Sequence, residues 1–257
     1  MERCKNFIPL FVLIFTINVS GQEATYNSEV LAPGWTQLSF VPPKPGTYTL
    51  AKYKQAADAL VYDSSAQQIS LHNIFENKVT LLNFMYTTCA DVNGCPLATA
   101  VFHKLKNELE NDPSIGKQVN LLSVSFDPIN DTPEIMKLYG AGSDSDIVDW
   151  KFLTTDSEKS LDPLLKGYNQ RIIKDYDENG KYIGSISHIL RVFLIDKDKD
   201  IRNIYSVSFL HPDVLINDIK TLLHNKTKNG TKIIQASEVP SKPQLAEPGD
   251  YREGYTS

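Results

Sequence analysis

Two cysteines, Cys89 and Cys95, are the residues in this chain best suited to chemistry. They lie in Tyr86-Thr87-Thr88-Cys89-Ala90-Asp91-Val92-Asn93-Gly94-Cys95-Pro96, between an apolar run and a stretch with helical spacing. Pro96 suits the first turn of a helix. A thiol at that end meets the positive pole of the helix dipole and unpaired N–H groups, which favour its thiolate. Both cysteines are therefore expected to be reactive or ready for metal. Asn93-Gly94 is a strong turn dipeptide that can fold the loop back so that both sulfurs point at one place. Spacing alone leaves an inert disulfide as the alternative.

The third cysteine, Cys4, belongs to an N-terminal segment with the pattern of a secretory leader. Arg3 and Lys5 precede the apolar run Phe7 to Val19, which is shorter than a bilayer-spanning helix, and Val19-Ser20-Gly21 offers small residues for cleavage before Gln22. Residues 1–21 are expected to be removed, and an uncleaved leader is the one route to membrane attachment. An isolated cysteine pair in an exported chain is either a disulfide or a metal site. Two cysteines are too few to staple a fold, so about 236 mature residues must rest on a hydrophobic core. With 26 basic and 31 acidic residues the net charge is −5. No basic face is implied, which argues against nucleic acid as a partner.

The elements that must position the pair follow from periodicity. Residues 22–56 contain Pro33, Pro42, Pro43 and Pro45 with little repeat, and read as an extended lead-in crossing the surface. Val79 to Tyr86 is an apolar run of strand length, and Leu97, Val101, Leu105 and Leu109 give Pro96 to Glu110 a helical stripe. Strand, cysteine loop, helix is the expected order. Strands over Val119 to Phe126 and Trp150 to Thr154 alternate with helices over Thr132 to Tyr139, opened by Asp131-Thr132-Pro133-Glu134, and Ser157 to Tyr168. A hairpin is expected over Arg171 to Ile183 around Asp177-Glu178-Asn179-Gly180. A second pairs Ile189 to Ile195 with Ile201 to Val207, and a helix over Asp213 to Leu223 follows. Such an order specifies one α/β domain over residues 57–224, with a central mixed β-sheet flanked by helices, parallel in its early strands and antiparallel in its last pair. Residues 225–257 turn polar and proline-bearing and are expected to form a flexible tail.

At the cysteine segment the chain resembles the Sco/SenC family, thioredoxin-like copper proteins that help assemble the copper site of cytochrome oxidase. Cys89, Asp91, Cys95 and Pro96 match the family's Cys-Pro-Asp-x-Cys-Pro, with Asn93-Gly94 as a two-residue insertion and Ala90 in place of proline. Asp127-Pro128 with Asp131-Thr132-Pro133-Glu134 is similar to the family's second motif, and His188 to Asp196 to its third. The resemblance implies a thioredoxin-like fold, a copper ion as cofactor, and His188 as the third ligand beside Cys89 and Cys95. Two soft thiolates and one imidazole suit copper and are one ligand short of a closed structural zinc site. Five residues separate the cysteines where the family has three. Ser187-His188-Ile189 stands where Asp-His-Ser is common, which removes an acid that could orient the imidazole. His72, His103, His211 and His224 lack such context and are read as surface residues.

The expected function is that of an exported metallochaperone, periplasmic or otherwise extracytoplasmic, that delivers copper to a cytochrome oxidase subunit or another cuproenzyme. The alternative is a thiol-disulfide oxidoreductase in which Cys89 and Cys95 are redox-active and reduce a partner's cysteines before metallation. Against it stand the spacing, which is not Cys-x-x-Cys, and the absence of proline just before Ile189, where thioredoxins keep one in cis. Asn130-Asp131-Thr132, Asn225-Lys226-Thr227 and Asn229-Gly230-Thr231 match the glycosylation tripeptide, a weak pattern.

Overall fold

A computed structural model describes residues 30–228. The leader at residues 1–21, most of the polar tail and the sequon at Asn229 lie outside the described residues. In chain order the elements are β1 (Lys54–Gln55), β2 (Leu60–Tyr62), β3 (Gln68–Ser70), α1 (Leu71–Phe75), β4 (Val79–Met85), α2 (Cys95–Glu110), α3 (Pro113–Gly116) and β5 (Val119–Ser125). There follow α4 (Pro133–Tyr139), β6 (Asp149–Leu153), α5 (Glu158–Gly167), β7 (Ile172–Tyr176), β8 (Tyr182–His188), β9 (Val192–Ile195), β10 (Asp200–Tyr205), a 3₁₀ turn (Val207–Phe209) and α6 (Pro212–Lys228).

All seven residues of β4 and all seven of β5 are buried, which is why both read as unbroken apolar-rich runs. They form the centre of a six-stranded sheet with order β1-β10-β9-β4-β5-β6. The β4, β5 and β6 strands are parallel, whereas β9 runs antiparallel to both β4 and β10. On one face α2 packs against α6 and β4. It buries Leu97, Ala98, Val101, Phe102, Leu105 and Leu109, and Phe102 meets the Trp150 ring edge-on at 5.7 Å. On the other face Tyr168, just past α5, packs its ring against Phe84 of β4 and Phe193 of β9. The architecture is the expected mixed sheet flanked by helices, and α4 opens as its sequence predicts, with the Thr132 side chain accepting from the Ile135 N–H after a proline start.

Three boundaries differ from expectation. The first hairpin does not stop at Ile183: β8 continues to His188, paired with β7 from Tyr182↔Tyr176 to His188↔Ile172. Consequently His188 ends β8 rather than opening the next strand, and β9 begins three residues after Ile189, whose side chain is 63 % exposed. Helix α6 runs to Lys228, past the expected end at Leu223. The lead-in has no strand or helix between residue 30 and Lys54, but it is anchored: Ala32 and Trp35 join the core, and Trp35 Nε1 donates to the Leu210 carbonyl at 2.8 Å. Its ring stacks on His211 at 4.3 Å. His211, expected at the surface, is thus a buried residue, because the indole covers it.

Candidate metal centre

The cysteine loop leaves the carboxyl end of β4 and enters α2, the edge of a parallel sheet where α/β folds place their ligands. Both ends of the loop are fixed. At the start, Asp131 accepts the Thr87 N–H at 3.1 Å, the Thr87 hydroxyl, and the Ser125 hydroxyl at 2.5 Å. Burial pushes the Asp131 carboxyl up from its usual range, while these hydrogen bonds pull it partly back. Sequence reading treated Asp131 as part of a helix start; its buried carboxylate in fact ties the second motif to the cysteine loop, and Thr132 does the capping. At the far end, Asp91 closes a tight turn by accepting the Asn93 N–H on its side chain at 3.0 Å and the Gly94 N–H on its carbonyl at 2.8 Å. Asp91 therefore shapes the loop.

Cys95 is buried at the first position of α2, and Cys89 is half-buried opposite it. Both are free thiols. The pair shares its protons unequally. Cys89 is held down to about 5, first by the hydrogen bond from the Cys95 thiol, then by the Cys95 and Asp91 backbone N–H groups and by His188. Cys95 is pushed up from the ordinary thiol value, because it donates to Cys89 and is deeply buried. Contrary to expectation, the thiol at the helix N-terminus is held protonated, and the Cys95 backbone N–H there serves the sulfur of Cys89 instead.

His188 reaches the cysteines from the β7–β8 hairpin. Its Nε2 lies 3.6 Å from Cys95 Sγ, and the donor atoms of Cys89, Cys95 and His188 all fall within 4.8 Å of one another. The Ile186 carbonyl lies 3.0 Å from Nδ1 and can only accept, so Nδ1 donates to it and Nε2 is turned toward the sulfurs. This carbonyl does the orienting that an acid at position 187 would have done, while Ser187 turns its hydroxyl to Asp175 on β7. The imidazole is walled by Phe126, edge-on at 4.7 Å, and Tyr86 at 6.0 Å. The Tyr86 hydroxyl also accepts the Ile186 N–H at 3.3 Å, which links β4 to the strand that carries His188. Sequence reading missed Tyr86 and Phe126: each ends an apolar run and reads as core. A cleft of about 420 Å³, lined in part by Tyr86, Thr88, Asp91, Ile186 and Ser187, reaches His188 from solvent.

A family model described as SCO1/SenC matches residues 60–224, well over half of the chain. The chain belongs to the SCO1/SenC family. The SCO1 protein homolog of Bacillus subtilis is 26 % identical over 161 residues, covering 62 % of this chain and 78 % of that protein. Among solved structures, ScoI of Bradyrhizobium japonicum with copper bound aligns with a TM-score of 0.54 at 22 % identity, over 65 % of this chain and 99 % of its own. BsSco, reported with a disulfide switch and described as one of the Sco family of cytochrome c oxidase assembly proteins, aligns with a TM-score of 0.54 at 23 % identity, over 68 % and 98 %. These likenesses establish the thioredoxin-like fold of the Sco structures. The remaining histidines stay apart from the cysteines: among the described residues, Cys89, Cys95 and His188 form the one such group with converging metal-donor atoms.

Proposed function

We propose that this chain is an exported metallochaperone that carries one copper ion between Cys89 Sγ, Cys95 Sγ and His188 Nε2 and passes it to a cuproenzyme such as a cytochrome oxidase subunit. The observation that carries this reading is the convergence of two thiols and an imidazole whose Nε2 is turned toward them. Three-coordinate bonds of about 2.0–2.3 Å require donor atoms about 3.5–4 Å apart, and the Cys95–His188 separation already meets this. Soft sulfur with imidazole suits copper, and three donors are one short of a closed structural zinc site. The five-residue spacing belongs to the proposal, since the Asp91 turn folds the longer loop so that both sulfurs still face His188. Support also comes from the relatives, of which ScoI carries copper and BsSco is described among the cytochrome c oxidase assembly proteins.

The residues divide the work. Cys89 offers a thiolate on the open side, Cys95 gives up its proton as the metal displaces it, and His188 completes the set from a separate hairpin. An arriving donor from the recipient can replace His188 through the cleft. Residues 1–21 would direct export, and among the described residues no helix is long and apolar enough to cross a membrane. In cells lacking this protein, the copper content and activity of the recipient oxidase should fall and be restored by the wild type but not by Cys95→Ala. Full restoration by Cys95→Ala would contradict copper delivery through this site.

The unequal thiols also favour a second reading, dithiol reduction of a partner by the Cys89 thiolate. That activity would survive His188→Ala, whereas copper carriage would not.

A further inference from the structure

The lead-in touches the cysteine loop through a backbone-to-side-chain hydrogen bond. The Gly34 N–H donates to Asn93 Oδ1 at 2.7 Å, across 59 positions of sequence. Gly34 sits within a turn closed by the Trp35 N–H on the Ala32 carbonyl at 3.0 Å, and both of those residues are buried. The donor is therefore presented by a fixed piece of chain. Space is tight: a Cβ on Gly34 would come within 2.8 Å of Asn93 Oδ1 and 3.4 Å of Val207 Cγ1, so alanine at this position would push the Asn93 carboxamide away. On the loop side, the Asn93 N–H is already engaged by Asp91, and Gly94 and Cys95 follow directly.

We infer that Asn93 is a positioning residue for the metal donors, and that Gly34 of the lead-in is the latch that holds it. A loop with five residues between its cysteines has more conformations to lose on binding a metal than a shorter one. Asp131 immobilises its beginning at Thr87, and the Gly34–Asn93 hydrogen bond immobilises its end next to Cys95. With both ends fixed, the separation of the sulfurs is set during folding, and the ordering cost is removed from the binding step. The inference rests on the copper reading for its consequence, but the latch itself acts in the metal-free protein.

The test compares the wild type with Asn93→Ala, Gly34→Ala, Asn93→Asp and Tyr48→Phe in copper(I) competition against a chelator, and in amide exchange of residues 90–94 without metal. Asn93→Ala and Gly34→Ala should each weaken copper binding about three- to tenfold, the loss expected for one hydrogen bond. Both should speed loop exchange by a similar factor. Asn93→Asp keeps an acceptor oxygen and should restore both readouts. Tyr48→Phe removes a different lead-in contact, to Asp218 at 2.5 Å, and should leave both at wild-type values. Wild-type affinity and exchange in Asn93→Ala and Gly34→Ala would overturn the latch. If the wild type takes up no copper, the copper reading falls, and the exchange data alone decide: acceleration upholds the latch and unchanged rates overturn it.

Discussion

Cys89 and Cys95 share one loop yet hold their protons with very different strength, and this can be read out directly. Alkylation of the reduced, metal-free protein should map to Cys89 with a midpoint near pH 5, while Cys95 stays unreactive across the neutral range. Stability should follow. The folded value for Cys89 lies below the ordinary 9.0, so the folded state holds fewer protons than the unfolded one between those limits. Its contribution is complete above pH 9 and is lost as pH falls through about 5. The unfolding free energy of the reduced protein should therefore gain a rising component from pH 5 to 9 that Cys89→Ser lacks, and a profile of equal slope in both proteins would contradict the assignment. At this scale the sequence was informative about which donor atoms meet: Cys89 and Cys95, singled out by type and spacing, and His188, singled out by the family resemblance, lie together in the fold. What it did not carry was the direction of the proton sharing. That depends on Cys95 being sealed under the loop and on N–H groups aimed at Cys89, both products of the folded geometry.

Elements decide how His188 arrives. The turn residues Asp177 to Gly180 marked the hairpin, but its second strand was expected to end at Ile183, because Gly184-Ser185-Ile186-Ser187 alternates too weakly to signal a strand. The pairing that extends β8 to His188 comes from β7, and Tyr86 secures it from β4. Removing the hydroxyl in Tyr86→Phe should speed amide exchange at Ile186 about fivefold and weaken copper binding by a comparable factor. If exchange accelerates throughout the protein instead, Tyr86 serves general stability and not the hairpin. The parallel strands and α2 were legible for a simpler reason: they are buried on whole faces, and burial writes itself into hydrophobic pattern.

For the whole molecule, the lead-in was the least legible part. Its prolines and lack of period predict irregular chain, which is what residues 30–53 form, but nothing in that pattern shows that Trp35 stacks on His211 and reaches the Leu210 carbonyl. Contacts across 175 positions leave no local signature. Trp35→Ala should cost about 3 kcal/mol in urea unfolding through the lost packing, and a cost below about 1 kcal/mol, within the range of an exposed side chain, would show that the lead-in is not part of the cooperative fold. The sheet, the hairpin and the lead-in thus converge on one loop, and the function proposed for the chain rests on what that loop holds. The most direct measurement is a copper titration of the fully reduced protein, following thiolate-to-copper charge-transfer absorption for the wild type and His188→Ala side by side. The wild type should bind one equivalent tightly with a sharp endpoint, and His188→Ala should lose at least tenfold in affinity with an altered spectrum; identical titrations of the two proteins, or no binding by either, would contradict the three-donor copper site.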